Sequence, residues 1–222
     1  MGKRWMITLY HCADARSFRP LWALEELGLD YGLKMLPFPP RMHERSYLQI
    51  NPLGTIPAFF DGEMRMTESA AICEYLAAKF GAGTLGVTLD EPGYGAYLNA
   101  LHYGEATLTF PQTLVLRYTR LEPKERRSAQ VADDYAKWFL ARLRGLDAIV
   151  AAQDYVAAGR FTAADISVSY ALLLAETLKL DEQFPPAVAA YWARMQERGG
   201  FKRAKLAQST AAKDQQVNPS WS

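Results

Sequence analysis

The residue types that carry most enzyme chemistry are sparse in this 222-residue chain and scattered along it. Its two cysteines, Cys12 and Cys73, lie far apart, with no metal-ligand spacing around either. His11 and His102 have no companions from which a nucleophile–base–acid triad can be argued, and a lone histidine is more often structural. What stands out instead is a proline. Pro57 immediately precedes the apolar run Ala58-Phe59-Phe60, which has the composition of a strand start. Proline has no N–H to give to a sheet. A cis bond at Ile56–Pro57 turns the chain sharply and leaves the preceding N–H and C=O pointing outward, free to pair with an extended peptide. A trans proline opening an edge strand accounts for the residue equally well.

The elements around Pro57 decide what it can do. Residues 5–11, "WMITLYH", read as a buried strand, 16–28 as a helix ending at Gly28, and 31–38, "YGLKMLPF", as a second strand. Pro20 falls in the first turn of that helix, where a missing N–H costs little. Strand, helix and strand with short connections make a βαβ unit with parallel strands. "AFF" and "EMRM" follow, joined at Asp61-Gly62 as a hairpin. A helix starts near Thr67 or Ser69, with Ala70, Ile72, Cys73, Leu76 and Ala77 on one face. The pattern predicts one mixed four-stranded sheet.

The Gly/Thr-rich stretch 81–93 separates this α/β part from a wholly helical one, with amphipathic patterns near 92–119, 124–152, 163–179, 186–198 and 201–210. Thr162 and Asp165 have capping-box spacing, with Phe161 and Ile166 placed as a hydrophobic staple. The predicted division is therefore an α/β domain over 1–82, an all-helical domain over 90–212 and a frayed polar tail over 213–222.

Composition limits the partners. Half the residues are apolar and the net charge is +1 with both signs interspersed, which gives a sizeable core and no electrostatic footprint for nucleic acid or an anionic membrane. No apolar run approaches the roughly 18–20 residues that cross a bilayer, and the N-terminus lacks the pattern of a signal peptide. A soluble cytoplasmic protein with reduced thiols and no metal is expected.

Four motifs in order, "LWALEELGLDY" (21–31), "NPLGTIPAF" (51–59), "TESAAICEYLA" (67–77) and "FTAADIS" (161–167), give the chain a resemblance to the cytosolic glutathione transferase family over nearly its whole length. It looks most like bacterial and fungal members with a Ser-Arg-Ser or similar segment before the first helix. The resemblance implies a thioredoxin-like N-terminal domain followed by an all-helical C-terminal domain, and glutathione as co-substrate. It implies a cis bond at Ile56–Pro57, with the Ile56 backbone pairing with the cysteinyl part of glutathione. Glu68 and Ser69 fall where the γ-glutamyl end is held: a carboxylate for its ammonium, a hydroxyl and helix N-terminal amides for its carboxylate. A plain N-cap is the other reading of that pair. His43 lies where the family sets a basic side chain against the glycyl carboxylate, with Arg41 and Arg45 as alternatives and a solvated charge run as the simpler account.

A free thiol of pKa about 8.5 is only a few per cent thiolate at neutral pH, so conjugation needs a group that favours the anion. Here the sequence departs from its relatives. Ala15 stands where Ser-type members have their serine, Arg16 where the beta class has its cysteine, and Ser17 one step further on. Ser17 is assigned as the activating hydroxyl and Arg16 as its cationic or backbone support; the competing account gives the task to Arg16 and the helix-start amides. Tyr10 is expected beneath the site and Cys12 as a small buried residue. The family places the second substrate against the first helices of the helical domain, where Tyr103 and Phe110 are chosen as its aromatic contacts and Pro111 is expected to kink the helix. The function implied is conjugation of the glutathione thiolate to a small hydrophobic electrophile by a homodimer. The alternative, favoured by Ala15, is a non-catalytic relative used for binding or assembly. A thiol–disulfide oxidoreductase would want a cysteine near 14–16, and the sequence has none there.

Overall fold

The computed structural model describes residues 7–81 and 83–221. These form two compact units, one made by the chain up to Gly81 together with the chain from Glu197 onward, the other by the stretch between, ending at Gln196.

The first unit is built on a four-stranded sheet. β1 (Ile7–His11) lies between β2 (Gly32–Met35) and β3 (Ala58–Asp61), and β4 (Met64–Met66) forms the far edge, giving the order β2-β1-β3-β4. β1 runs parallel to β2, with Thr8 opposite Gly32, and antiparallel to β3, with Tyr10 opposite Ala58. The hairpin turns one residue later than its sequence suggests. Asp61 stays in β3 opposite Met64, because its carboxylate is anchored by Tyr75 Oη at 2.7 Å and by Lys79.

α1 (Phe18–Leu27) and α3 (Ser69–Phe80) pack together, with the short α2 (Pro40–His43) between β2 and β3 in sequence. Every residue from Phe18 to Leu24 is buried. A helix covered on one side cannot do that. The second cover is α9 (Gly199–Asp214), whose Phe201 ring meets Trp22 at 5.0 Å and Phe18 at 5.4 Å. This corrects two expectations. The last helix clusters with the sheet unit rather than with the helical domain of 90–212, because the apolar surface it matches belongs to α1 and β2. The tail is not frayed as a whole: the Gln215 amide bridges the backbone of Met35 and Leu33 on β2 at 2.9 Å each, and Trp221 stacks on Phe38 at 4.6 Å.

The second unit contains α4 (Tyr94–His102), α5 (Phe110–Leu116), α6 (Ala129–Ala152), α7 (Ala163–Thr177) and α8 (Pro186–Gln196). α7 is buried from Ala163 through Ala175 and forms its centre. The capping box at its start forms in full, with the Asp165 carboxylate taking the Thr162 N–H at 2.9 Å. The single helix expected over 92–119 is broken by two π-helical stretches, Tyr103–Thr109 and Arg117–Leu121. Pro111 offers no N–H to the preceding turn, and the wider turn ahead of it makes room for its ring. Carbonyls in that stretch are met by side chains instead: Thr109 Oγ1 donates to Gly104 O at 2.8 Å and Gln112 Nε2 to Leu108 O at 2.9 Å. Gly104 lets α7 approach, since a Cβ there would stand 2.6 Å from the Ser167 carbonyl. No described helix is long and apolar enough to cross a membrane.

Candidate functional site

Three segments of the first unit converge. The first is the turn from Cys12 to Ser17 that opens α1. Ala15 N–H closes onto Cys12 O at 3.1 Å, and the Ser17 hydroxyl spans the turn, accepting from Cys12 N–H at 3.3 Å and donating to Cys12 O at 3.4 Å. Ser17 is fully buried, so its oxygen faces into the fold and its proton is already committed. This runs against its assignment as the activating hydroxyl. Ser17 has helical backbone angles at the N-cap position, which turns the side chain back onto the preceding turn rather than over the helix-start amides. Its own N–H lies at the positive end of α1, where the ring of His11 also meets the Ser17 backbone. Arg16, half-buried, stands beside it.

The second segment leads into β3. Tyr47 Oη and Asn51 Nδ2 both donate to Thr55 O at 2.8 Å, and Asn51 Oδ1 takes the Leu53 N–H at 3.2 Å. These bonds fix the loop that ends at Ile56–Pro57, where the peptide bond is cis. Neither backbone polar group of Ile56 is paired among the described residues. Ile56 shares one buried cluster with Cys12, Ala15, Tyr47 and Ala58, so the loop and the α1 turn are in contact through their side chains. Tyr10 packs under this cluster, 5.7 Å from the Tyr47 ring and 6.0 Å from Phe60.

The third segment is the start of α3. Glu68 is the exposed N-cap, and Ser69, the first helical residue, is buried. Its Oγ accepts from Nη1 of Arg19 at 3.0 Å. A hydroxyl that accepts from a guanidinium keeps its proton to donate elsewhere. Arg19 is wholly buried on α1 and ties the first segment to the third. The sequence reading passed over it, although a cation within a continuous apolar helix face is a visible signal.

Other assigned residues are less closely placed. His43, Arg41 and Arg45 are all exposed around α2. Arg41 lies against the loop before Ile56, where a Cβ on Gly54 would come within 2.8 Å of the Arg41 Cβ. In the second unit, Tyr103 donates its hydroxyl to Arg142 O on α6 at 2.6 Å, and burial pushes its pKa up. Phe110 is 51% exposed. The π stretch between them breaks the 3.6-residue register that would set both rings on one face of an ordinary helix. Cys12 and Cys73 are buried free thiols held protonated, Cys73 pushed up to about 12 by desolvation. No group of three His, Cys, Asp or Glu that could hold a metal occurs among the described residues.

The arrangement offers an unpaired backbone edge, a helix-start hydroxyl braced by a buried cation and a helix N-terminus beside them. It suits an extended, peptide-like ligand with an anionic end. Residues 6–78 match the family described as glutathione S-transferase, N-terminal domain. The chain is 26% identical over 181 residues to glutathione S-transferase 3 of Schizosaccharomyces pombe, covering 77% of this chain and 75% of that one. It superposes on the glutathione transferase URE2P8 of Phanerochaete chrysosporium, solved with oxidised glutathione, with a TM-score of 0.82 at 19% identity, over 98% of this chain and all of that one. Ure2p5 of the same fungus, crystallised with 1-(S-glutathionyl)-2,4-dinitrobenzene, gives a TM-score of 0.81 at 20% identity, over 98% of this chain and all of that one. At these identities the two structures establish the likeness of fold.

Proposed function

This chain belongs to the glutathione transferase family, and from that premise we propose that it adds the glutathione thiolate to a small hydrophobic electrophile. The observation that carries the reading is the unpaired Ile56 backbone in contact, through its side-chain cluster, with the α1 turn. Glutathione lies extended along Ile56 and Pro57, its cysteinyl amide pairing with the Ile56 N–H and C=O. Its γ-glutamyl carboxylate accepts hydrogen bonds from the Ser69 hydroxyl and the α3 amides, and its ammonium meets Glu68. The glycyl carboxylate falls to the basic cluster of Arg41, His43 and Arg45.

The thiol then sits over the start of α1. With the Ser17 hydroxyl turned inward, the anion is favoured by the Ser17 N–H, the helix dipole and the Arg16 cation. The thiol proton leaves to solvent, the sulfur forms a C–S bond to the electrophilic carbon, and the displaced group departs with the electron pair of its bond. Most of the acceleration comes from holding and deprotonating the thiol. Of the aromatic residues assigned to the electrophile, Phe110 has its ring open to solvent, while Tyr103 is half-buried with its hydroxyl engaged. The reading includes a cytoplasmic homodimer with two-fold symmetry, to be checked by light scattering.

The test is calorimetric titration with glutathione followed by turnover with 1-chloro-2,4-dinitrobenzene, chosen because a fungal structural neighbour was crystallised with the corresponding glutathionyl product. Saturable binding and conjugation are expected. Binding without turnover on this and other electrophiles would identify a non-catalytic glutathione-binding protein, and absence of binding would overturn the site.

A further inference from the structure

The C-terminal segment reaches back to the turn that opens α1 by separate contacts on two adjacent residues. Gln208, buried on α9, is the central one. Its Nε2 donates to Asp14 Oδ1 at 2.7 Å, and its Oε1 accepts from Asp14 N–H at 3.1 Å and from His11 Nε2 at 2.9 Å. Lys205, one helical turn earlier, adds an ion pair to the same Asp14 oxygen at 2.7 Å. Trp221 donates its indole N–H to Ala13 O at 2.7 Å while packing against the cluster that contains Ala15 and Ile56.

The chemistry of these groups leaves one hydrogen-bond arrangement. A carboxylate only accepts, so the Gln208 amide nitrogen must face Asp14. Its oxygen then faces His11, whose Nε2 must carry the proton. His11 is thereby the neutral Nε2–H tautomer, in keeping with its complete burial, which lowers its pKa to about 4. The amide oxygen thus takes two hydrogen bonds and the nitrogen gives one, and all three partners lie at or beside the turn.

Asp14 needs such restraint. Its φ of 53° is in the left-handed region, which disfavours a residue with a side chain. Gln208 holds it at both ends, by its N–H and by its carboxylate. The next residues along the chain are Ala15, Arg16 and Ser17, the groups over which the thiol lies. Stabilising an anion with fixed amides depends on their placement to a fraction of an ångström.

We infer that Gln208 is a positioning residue for the thiolate site: by holding Asp14 in its left-handed conformation it aims the start of α1 at the glutathione sulfur. The inference rests on the reading of glutathione binding above. An amide that served stability alone would be replaceable by an apolar side chain of similar size without effect on the thiol. Replacing Gln208 changes none of the charges around the turn, Asp14, Arg16 and Lys205, so a shifted thiol pKa reports geometry.

The experiment uses Gln208→Met in the full chain, with the thiolate absorbance of bound glutathione near 240 nm followed against pH and its affinity measured by calorimetry at low pH. The bound thiol's pKa should rise by about one pH unit, so that the thiolate fraction below the pKa falls about tenfold. Affinity for the protonated ligand should change less than about threefold, and turnover should recover at high pH. Trp221→Phe, which keeps a ring and loses only the bond to Ala13, should move the pKa in the same direction by less. A Gln208→Met protein that melts earlier but leaves the thiol pKa in place overturns the inference. If that variant does not fold, an unmoved pKa in Trp221→Phe overturns it. Failure of the unaltered protein to bind glutathione would instead strike the functional reading itself.

Discussion

Replacing Ser69 by alanine removes a hydroxyl that the fold has already engaged on one side. Its Oγ accepts from Arg19 at 3.0 Å, which leaves its proton for a ligand carboxylate at the start of α3. A hydrogen bond to a charged group contributes about 1.5–3 kcal/mol. At about 1.4 kcal/mol per factor of ten, glutathione should bind roughly 10- to 150-fold more weakly. There is a second, separable effect. The buried Arg19 guanidinium loses one of its acceptors, and a hydrogen bond to a charged group contributes about 1.5–3 kcal/mol of stability. Urea denaturation of the unliganded proteins measures that loss, and calorimetry at a temperature where the variant is folded measures the first. A control on the ligand isolates the contact: glutathione with its γ-glutamyl α-carboxylate amidated should bind the unaltered protein weakly and lose little further affinity on Ser69→Ala. Equal binding of glutathione to the folded variant, or an equal loss for the amidated ligand, would refute the placement of the γ-glutamyl carboxylate.

Ser17→Ala should cost about 1 kcal/mol, from the lost bonds to the Cys12 backbone, and leave the pH–rate profile where it was; an acidic limb moved up by a full pH unit would return the hydroxyl to the thiol. His11, buried and neutral with its pKa lowered from 6.5 to about 4, takes up its proton first in the unfolded chain. Its stabilising contribution is therefore full above pH 6.5 and declines as pH falls toward 4, by on the order of 3 kcal/mol. Urea midpoints for His11→Gln should fall less steeply over that window, and parallel slopes would contradict this. Asp165→Ala strips the buried N–H groups of Val156 and Thr162 and the Tyr191 hydroxyl of a shared acceptor. It should cost about 3 kcal/mol or more; a loss under 1 kcal/mol by the same method would mean that other groups had replaced the carboxylate.

Much of the architecture was readable because its causes are local. Alternation in "ITLYH", the helical period of 67–80 and the turn residues between them specify strand, helix and hairpin whatever surrounds them, and the sheet forms with the predicted mixed pairing. Thr162 and Asp165 are three residues apart and cap the same helix, so their spacing alone implies both bonds. The hairpin was misjudged by one residue for a long-range reason, the anchoring of Asp61 by α3.

The candidate site was legible only in part. Pro57, Glu68 and Ser69 announce themselves by type and position, whereas the partner of Ser69 comes from α1, fifty residues earlier in the chain. Ser17 illustrates the limit. Its residue type suggested a hydroxyl for the thiol, but direction is set by backbone angles and by the Cys12 carbonyl, and these turn it inward. Gln208 and Trp221 carry no local signal, since an amide on a polar helix and an indole in a polar tail acquire meaning only from Asp14 and Ala13, some two hundred residues away.

By itself, then, the sequence determined the elements, their order and the chemical types available for a peptide-like ligand, because periodicity, capping and turn chemistry act over a few residues. Tertiary structure decided which way Ser17 points, that α9 covers α1, and that the turn before α1 is held from the far end of the chain. Those outcomes depend on shape and hydrogen-bond complementarity between segments remote in sequence, for which no local pattern exists.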